Sequence, residues 1–488
     1  MPPENIAPRP GLRRTAGYGG ASPLSPRVDG AAPGRRTSAC AGRCGRNDPI
    51  ARAWSRRRLL SEIAYGGLAL GATACAGVLP STPARVDDAE AASLAAASAT
   101  AIEDYADLEG LCAGVPAIAD AEYVARQRRI QGFARDAGLD GLLVEAGASL
   151  TYFTGVRWGR SERPLLLLLP TDGEPRLFGP AFEAGTLRER VGDRLAIELW
   201  DEHEGPYGRI AGALSGLQRI AVEPSTRLFI VEYLRRAAPA IELAADPGIV
   251  RSARMIKSPA ELALLRRANV ATKAAIARVA PEIRPGMRES EIAAKVRAAQ
   301  RAAGLVDIWA LALVGANAAF PHGTDNERVL AAGDAVLVDT GGALHGYRSD
   351  ISRTWFVGDP PAEVCDAWAI VLEAQARALA GMRPGVPCGS IDALARATID
   401  AAGHGPGYRR FTHRLGHGIG LEVHEDPYLV GGAETLLAPG MVMSNEPGIY
   451  VPNAWGIRIE DIVVITEEGA EVFGPRPRSI TDPFGGEA

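Results

Sequence analysis

Cysteine is scarce in this chain, and so are other features that would point to a special class of protein. Six cysteines occur in 488 residues, and the three that follow Cys75 are widely spaced, so they do not form a disulfide framework. The apolar run at 63–74 is too short to span a bilayer as a helix. Net charge is −5, with 47% hydrophobic and 23% charged residues, which is ordinary for a soluble globular protein of two or more domains.

The charge that is present is unevenly distributed. Residues 1–60 carry 12 arginines and three acids, a net charge of +9, which leaves −14 for the remainder. The acidic body argues against nucleic acid as a partner. The basic part is rich in glycine, proline and arginine, and it is interpreted as a disordered leader because an export-like signal follows it directly.

The leader ends in a pattern that resembles a twin-arginine export signal. The stretch 55–60 reads SRRRLL, and the mildly apolar run and small residues follow it. Ala72-Thr73-Ala74 before Cys75 permits two endings: ordinary cleavage after a small residue, or a lipoprotein in which Cys75 is acylated and tethers the protein to a membrane. We therefore expect an exported protein, periplasmic or membrane-anchored.

Four segments are predicted from these patterns. Residues 1–80 form the leader with its signal, and the acidic, alanine-rich residues 81–118 form a flexible tether. In residues 119–252 short apolar runs alternate with helical patterns, which predicts an α/β domain with a mixed sheet. Its run Leu165–Leu169, flanked by prolines, predicts a buried central strand.

The fourth segment, residues 253–480, is predicted to be a second domain built from two similar halves. Ser258-Pro259-Ala260-Glu261 has the sequence of a capped helix start. Arg284-Pro285-Gly286-Met287 and Arg383-Pro384-Gly385-Val386 each follow one helical pattern and precede another. The repeated turn indicates a pseudo-twofold domain with a site where the halves meet.

Five residues of metal-ligand type lie in the C-terminal third of the chain. Four carboxylates and one imidazole are too much negative charge to bury without cations, since even one unpaired buried carboxylate costs several kcal/mol. If they converge, the expected occupant is a pair of divalent metals that share bridging carboxylates and activate a water for hydrolysis. The five residues are Asp339, Asp350, His417, Glu446 and Glu460.

Local patterns support convergence of these residues. Asp339 ends an apolar strand, and Asp350 follows a Gly-Gly pair, so the two lie on either side of a predicted hairpin. His417 lies in a stretch of histidines and glycines, and glycine allows close backbone approach to a ligand. Arg458 and Glu460 are two apart on a predicted strand, so we expect them on one face.

The candidate ligands belong to a longer ordered series of motifs: Pro321-His322-Gly323, Asp339 with Gly346-Tyr347 and Asp350, His417-Gly418-Ile419-Gly420, His424-Glu425, Glu446-Pro447-Gly448 and Arg458-Ile459-Glu460-Asp461. Together these segments resemble the pita-bread metallopeptidases, in particular the Xaa-Pro aminopeptidase and prolidase branch. The junction at 254–261 resembles that of the creatinase-like members, and the resemblance covers roughly residues 120–475.

The resemblance implies an α/β (α+β) chain: a creatinase-like mixed-sheet domain followed by a pseudo-twofold pita-bread domain. It implies that the five candidate ligands hold two metals, bridged by Asp350 and Glu460, and that a bridging water or hydroxide attacks the scissile carbonyl. Glu446 would also handle the proton. The metal-free creatinases lack several of these ligands, whereas this chain has all five.

The same resemblance assigns substrate-side roles to four further residues. His322, His413 and His424 would hold the carbonyl and stabilise the tetrahedral intermediate. Arg458 would orient a bridging carboxylate or contact the substrate, and a structural ion pair with a nearby acid is the alternative. Six of the seven histidines lie within residues 322–424, a clustering that favours a site.

The expected metal is Mn²⁺, because oxygen-rich ligation suits it, with Co²⁺, Zn²⁺ and Fe²⁺ also feasible. The expected substrate is a small peptide with proline in second position, and the expected assembly is a homodimer, both by resemblance. Two rival functions stay open: a hydrolase or lyase of a small non-peptide substrate on the same fold, and an inactive, surface-anchored binding protein.

Overall fold

A computed structural model describes residues 105–486. The leader, the export signal, Cys75 and residues 81–104 of the predicted tether lie outside the described residues. Within 105–486, every helix is too short or too polar to cross a membrane.

The prediction of a flexible tether is wrong for residues 105–118. Tyr105, Leu108, Cys112 and Ile118 are buried in the same hydrophobic core as the long helix Pro259–Val279. The burial of four apolar side chains outweighs the acidic, alanine-rich composition on which the prediction rested. The segment is therefore part of the folded body.

The N-terminal part is a six-stranded sheet covered by helices, as the sequence predicts. The sheet order is β4-β3-β2-β1-β5-β6, in which β1–β5, β5–β6 and β3–β4 are parallel and β1–β2 and β2–β3 are antiparallel. The apolar run after Pro164 forms β2, which is fully buried between two neighbours. The elements are α1 (Asp120–Asp136), β1 (Gly141–Glu145), α2 (Ala148–Thr154), β2 (Leu166–Pro170), β3 (Arg176–Pro180), α3 (Ala184–Val191), β4 (Ala196–Trp200), α4 (Tyr207–Ala213), β5 (Arg219–Val222), α5 (Leu228–Ala237), β6 (Glu242–Ala245) and α6 (Ile249–Met255).

The C-terminal part contains two antiparallel sheets and four long helices. One sheet has the order β10-β8-β7, with β9 beside β8, and the other has the order β12-β11-β13-β16-β17. The strands β14 and β15 form a separate hairpin. The elements are α7 (Pro259–Val279), α8 (Glu289–Ala302), β7 (Val306–Val314), β8 (Ala335–Leu344), β9 (Tyr347–Arg348), β10 (Ile351–Phe356), α9 (Ala362–Gly381), α10 (Cys388–Ile399), β11 (Gly416–Gly418), β12 (Glu425–Leu429), β13 (Val442–Asn445), β14 (Gly448–Val451), β15 (Trp455–Arg458), β16 (Asp461–Ile465) and β17 (Ala470–Val472).

The predicted duplication is present in the backbone of this domain. Gly286 and Gly385 both have positive φ, and each donates its N–H to a leucine carbonyl at 2.8 Å, Leu330 in the first half and Leu437 in the second. In return, the N–H of each leucine donates to the carbonyl of the residue that follows the glycine, Met287 at 2.8 Å and Val386 at 2.9 Å. Since α7 and α8 flank one turn as α9 and α10 flank the other, the two halves share one frame.

Candidate metal centre

The first half contributes two aspartates from adjacent antiparallel strands. Asp339 lies on β8 directly opposite Ser352 of β10, and Asp350 lies one residue before β10 begins. Asp350 is 4% exposed, and its backbone N–H donates to the side-chain oxygen of Asn269 on α7 at 3.2 Å. The hairpin predicted from the sequence therefore brings both carboxylates to one place.

The second half contributes one histidine and two glutamates. His417 lies on the short strand β11, and its backbone N–H donates to Ser444 Oγ at 2.9 Å. Its Nδ1 lies 3.1 Å from the carbonyl of Gly418, which can only accept, so Nδ1 carries a proton and Nε2 is the nitrogen that faces the carboxylates. Glu446 follows β13, and its Oε1 is 3.1 Å from that Nε2.

Glu460 is the ligand whose placement the sequence predicted least well. Arg458 ends β15 and Asp461 begins β16, so Glu460 lies in the break between the strands and does not share a strand face with Arg458. Its backbone N–H donates to the carbonyl of Ser352 at 3.0 Å, and the Ser352 hydroxyl donates to Glu460 Oε2 at 2.8 Å. Tertiary contacts with β10 thus carry the carboxylate into the site.

The five side chains converge in overlapping groups whose ligand atoms lie within 4.8 Å of one another. One group is Asp339, Asp350 and Glu460, and another is His417, Glu446 and Glu460. In the part of the chain that the structure describes, Asp339 Oδ1, Asp350 Oδ1 and Glu460 Oε1 are buried and have no hydrogen-bond partner. Buried carboxylate oxygens without donors fit divalent cations, so these residues suit a metal pair that shares Glu460.

The carboxylates perturb one another strongly. Burial, together with the negative charges of its three carboxylate neighbours, raises the pKa of Asp350, and burial with the charges of Glu446 and Asp339 raises the pKa of Glu460. Burial would also raise the pKa of Glu446, but the hydrogen bond and charge of His417 lower it to about 2. Positive charge is what would let all four ionise together.

Arg458 is buried inside the site and holds two of the ligands. Its Nη2 donates to Asp339 Oδ2 at 2.6 Å, and its Nε donates to Ser352 Oγ at 2.8 Å, the hydroxyl that in turn donates to Glu460. Burial opposes its charge, but the neighbouring Tyr450, Asp339 and Glu446 raise its pKa. The ion pair considered from sequence is therefore present, and it is made with a candidate metal ligand.

His413 lies beside the carboxylates with both ring nitrogens engaged. Nδ1 lies 2.8 Å from the carbonyl of Arg414, which accepts its proton, so Nε2 accepts from the Tyr450 hydroxyl at 2.7 Å. Burial, opposed by the charge of Glu446 and aided by that of Arg458, lowers the pKa of His413 to about 4. The ring is neutral at neutral pH.

His424 and His322 are exposed side chains near the site. The ring of His424 meets that of His417 edge to face, with 4.2 Å between centroids. Partial burial of the ring by its neighbours and the charges of His417 and Arg414 lower the pKa of His424 to about 4. His322 follows Pro321, whose carbonyl accepts from Arg458 Nη1 at 3.0 Å. All nine predicted site residues thus lie in one region.

Among the polar residues of this region that were not predicted from the sequence, two contact Arg458. The Tyr450 hydroxyl accepts from Arg458 Nη1 at 3.0 Å and donates to His413, and it is 2% exposed. Ser352 is fully buried between Arg458 and Glu460. Tyr450 follows Glu446-Pro447-Gly448 closely, which was a usable signal, whereas Ser352 is an ordinary strand residue until its partners are known.

Comparison with known proteins identifies two family models along the chain. Residues 263–467 match the model described as metallopeptidase family M24, and residues 126–256 match the creatinase/prolidase N-terminal domain. A probable dipeptidase PepE of Mycobacterium tuberculosis is 38% identical over 361 residues, covering 72% of this chain and 94% of the relative. An Xaa-Pro dipeptidase of Pyrococcus horikoshii is 32% identical over 349 residues, covering 70% and 95%.

Solved structures agree with these matches. The dipeptidase PepE of Mycobacterium ulcerans superposes with a TM-score of 0.70 at 36% identity, covering 75% of this chain and 98% of that one. The prolidase of Pyrococcus horikoshii superposes with a TM-score of 0.65 at 30% identity, covering 72% and 97%. The α/β architecture predicted from the sequence, a creatinase-like domain followed by a pita-bread domain, is confirmed.

Proposed function

The chain belongs to metallopeptidase family M24, and from that premise we propose that it hydrolyses the Xaa-Pro bond at the amino end of short peptides, Xaa-Pro dipeptides among them. The Xaa-Pro link lacks an N–H, so proteases that bind that group handle it poorly, and a dedicated site is needed. The observation that carries the proposal is the convergence of five ligand side chains, three with unpartnered buried oxygens.

We assign two divalent metals to the overlapping ligand groups, with Asp350 and Glu460 as the shared ligands. Both belong to more than one group: Glu460 to the Asp339 and the His417 groups, and Asp350 to the Asp339 group and one with His417 and His424. When bound, the metals supply Lewis acidity and lower the pKa of a water. Because most of the ligand atoms are oxygens, Mn²⁺ is the proposed metal.

The protein's own groups then divide the remaining tasks. Arg458 and Ser352 orient Asp339 and Glu460 through the hydrogen bonds described above. Glu446 Oε1 already accepts from the Ser444 hydroxyl at 3.0 Å and faces His417, so we assign to Oε2 the acceptance of the proton released by the nucleophile. His322 and His424 are exposed and are assigned to the substrate carbonyl.

Access for a short peptide is provided beside His424. A cavity of about 510 Å³ is lined there by residues of both domains, among them Glu223 and Arg254 on one side and His424 and Tyr428 on the other. A volume in this range suits a small ligand rather than a folded protein. It supports a dipeptide or other short peptide as substrate.

The cellular setting is also a proposal. The twin-arginine-like signal at 55–74 supports export, and Cys75 supports a lipid tether as one of the two endings. Mass spectrometry of the mature N-terminus decides between a cleaved and an acylated product, and a full-length precursor in every fraction would reject export. We further propose a homodimer, which sedimentation of the mature protein tests.

The function itself is tested by incubating manganese-loaded protein with Ala-Pro, Ala-Pro-Ala, Ala-Ala and a panel of small non-peptide amides. Release of the amino-terminal alanine from the proline substrates, lost in Glu460→Gln, supports the proposal. Turnover of non-peptide amides alone supports the first rival function. Tight peptide binding without turnover of any substrate supports the binding protein.

A further inference from the structure

One arginine near the site uses all five of its N–H groups, three of them on the segment that carries His413. On α10, Arg396 Nε and Nη2 donate to the two carboxylate oxygens of Asp392 at 2.7 and 2.9 Å. Nη1 donates to the carbonyls of Phe411 at 2.8 Å and Gly407 at 3.4 Å, and Nη2 donates to the carbonyl of His413 at 2.5 Å. No donor of the guanidinium is left over.

The pair is also enclosed by aromatic rings. The guanidinium carbon lies 3.6 Å from the ring centre of Tyr408 and 4.3 Å from that of Phe411. Arg396 is 8% exposed and Asp392 1% exposed, whereas an arginine four residues from an acid usually forms a weak, solvated pair. Burying such a pair costs desolvation, so the contacts it makes in return are specific ones.

Asp392 closes the far end of the same segment. Its Oδ1 accepts the N–H of Leu415 at 3.0 Å, and the carbonyl of Leu415 accepts the N–H of Glu446 at 2.9 Å. Between these anchors, the His413 ring packs edge to face on Phe411, with 5.1 Å between centroids. The backbone at 407–415 is therefore held from one side by α10, and its only imidazole points to Tyr450.

We propose that the Asp392–Arg396 pair positions His413. The pair holds the imidazole in contact with the Tyr450 hydroxyl, which in turn contacts Arg458. The expected effect on turnover rests on the function proposed above. The expected effect on the backbone at 407–415 rests on the contacts alone. Lysine cannot replace arginine here, because one ammonium cannot span two carboxylate oxygens and three carbonyls at once.

The test is a double-mutant cycle in the full-length, manganese-loaded chain with Ala-Pro as substrate. Arg396→Lys is expected to lower kcat about 10- to 100-fold, as a displacement of about 1 Å does, with KM and metal content unchanged. In a His413→Ala background the same change is expected to lower kcat less than about 3-fold further, because its effect passes through the missing ring. Arg377→Lys is the matched control, since Arg377 pairs with Glu373 four residues away on α9 but is 62% exposed.

The contrary results are equally definite. An equal loss in both backgrounds, loss of bound metal, or an unchanged kcat in folded Arg396→Lys would overturn the proposal. If Arg396→Lys does not fold, Asp392→Asn takes its place in the cycle, because it keeps an acceptor for Leu415 while removing the charge.

A second measurement separates this proposal from the proposed function. Hydrogen exchange of peptides spanning 405–415 is expected to be at least about 10-fold faster in Arg396→Lys than in Arg377→Lys, because a lysine cannot reach all three carbonyls of the segment at once. If the wild type cleaves no peptide but this difference appears, the proposed function fails and the positioning role stands. Equal exchange in the two variants rejects the positioning role whatever the substrate.

Discussion

Arg297 and Arg396 occupy the same place in the two halves of the C-terminal domain, eleven residues after the glycine of the duplicated turn. Arg396 pairs with Asp392 and donates to three carbonyls of the His413 segment. Four residues before Arg297, at the position that corresponds to Asp392, the chain has Ala293. Arg297 donates to the carbonyl of Ala310 at 3.2 Å. The shared frame therefore fixes where a helix lies, and single side chains decide what the helix holds.

The loops that carry His322 and His413 show the same divergence. In the first half the carboxylate of Glu289 accepts from the N–H of Val314 at 2.8 Å, the N–H of Arg328 at 3.0 Å and the amide of Asn317. A carboxylate thus holds the loop before and after His322, whereas in the second half Arg396 holds carbonyls around His413 and Asp392 holds the N–H of Leu415. The first loop is secured by a carboxylate and the second by a buried ion pair.

The candidate metal ligands are divided between the halves as well. Of the five candidates, the first half contributes two carboxylates, Asp339 and Asp350, whereas the second contributes the imidazole of His417 together with Glu446. Glu460, from the second half, belongs to both main groups. Neither half alone forms the site, which explains why it lies where they meet.

The largest expected effect comes from removing the metals that we propose the two halves bind together. Treatment with a chelator is expected to lower kcat/KM on Ala-Pro by about 10³-fold or more, because Lewis-acid stabilisation contributes several kcal/mol to the barrier. Adding Mn²⁺ to the stripped protein is expected to restore activity. Full activity in chelator-treated protein with no detectable metal would contradict the site as described.

A sharper comparison asks whether the two ligand groups are separate metal positions. His417→Ala removes a ligand of the second-half group and leaves Asp339, Asp350 and Glu460 intact, so bound metal is expected to fall from two equivalents per chain to about one. Glu460→Gln weakens both groups and is expected to leave less than one. Elemental analysis of dialysed protein measures this, and equal losses in the two variants would show that the groups are not distinct.

The two equivalent arginines are expected to differ in their contribution to stability. Arg396→Met leaves the buried Asp392 uncompensated and is expected to lower the free energy of unfolding by about 3–5 kcal/mol. Arg297→Met removes one hydrogen bond and is expected to cost about 0.5–1.5 kcal/mol. Urea unfolding followed by circular dichroism measures both, and similar costs would mean that the Asp392 pair adds nothing to the shared frame.

The smallest expected effects concern two buried glutamates whose pKa values are shifted in opposite directions. Burial raises the pKa of Glu261 on α7 despite the charge of Arg126, whereas the charges of Lys257 and Arg254 outweigh burial and lower the pKa of Glu425. The ionised Glu425 therefore stabilises the fold above its ordinary pKa of 4.5, and this contribution is lost as the pH falls. For Glu261 the pH dependence is reversed. Its protonated form stabilises the fold at low pH, and this contribution is lost as the pH rises.

This contrast predicts opposite pH dependences for two glutamine variants. The destabilisation caused by Glu425→Gln is expected to be greater at pH 7 than at pH 4, and that caused by Glu261→Gln greater at pH 4 than at pH 7. Urea midpoints at the two pH values measure both differences. The same sign for both variants would remove the distinction between these two positions.

Much of this structure follows from local sequence patterns. The capped start of α7 is present as predicted, with Ser258 Oγ accepting the N–H of Glu261 and the Glu261 carboxylate accepting the N–H of Ser258. The buried strand β2 and the duplicated turn are likewise local features, set by apolar runs and by a glycine with positive φ. Composition led to a wrong prediction of a flexible tether at residues 105–118, because a few apolar residues of this acidic segment, such as Tyr105 and Leu108, pack against the core.

The sequence by itself determined the identity and order of the candidate ligands and the frame that is repeated, because ligand chemistry and turn geometry belong to individual residues and their near neighbours. Only the tertiary structure decided that Glu460 reaches the site from a break between strands, that Tyr450 lies between His413 and Arg458, and that Arg396 rather than Arg297 holds a site loop. These outcomes depend on distances between atoms far apart in the chain, which packing sets and local pattern does not record.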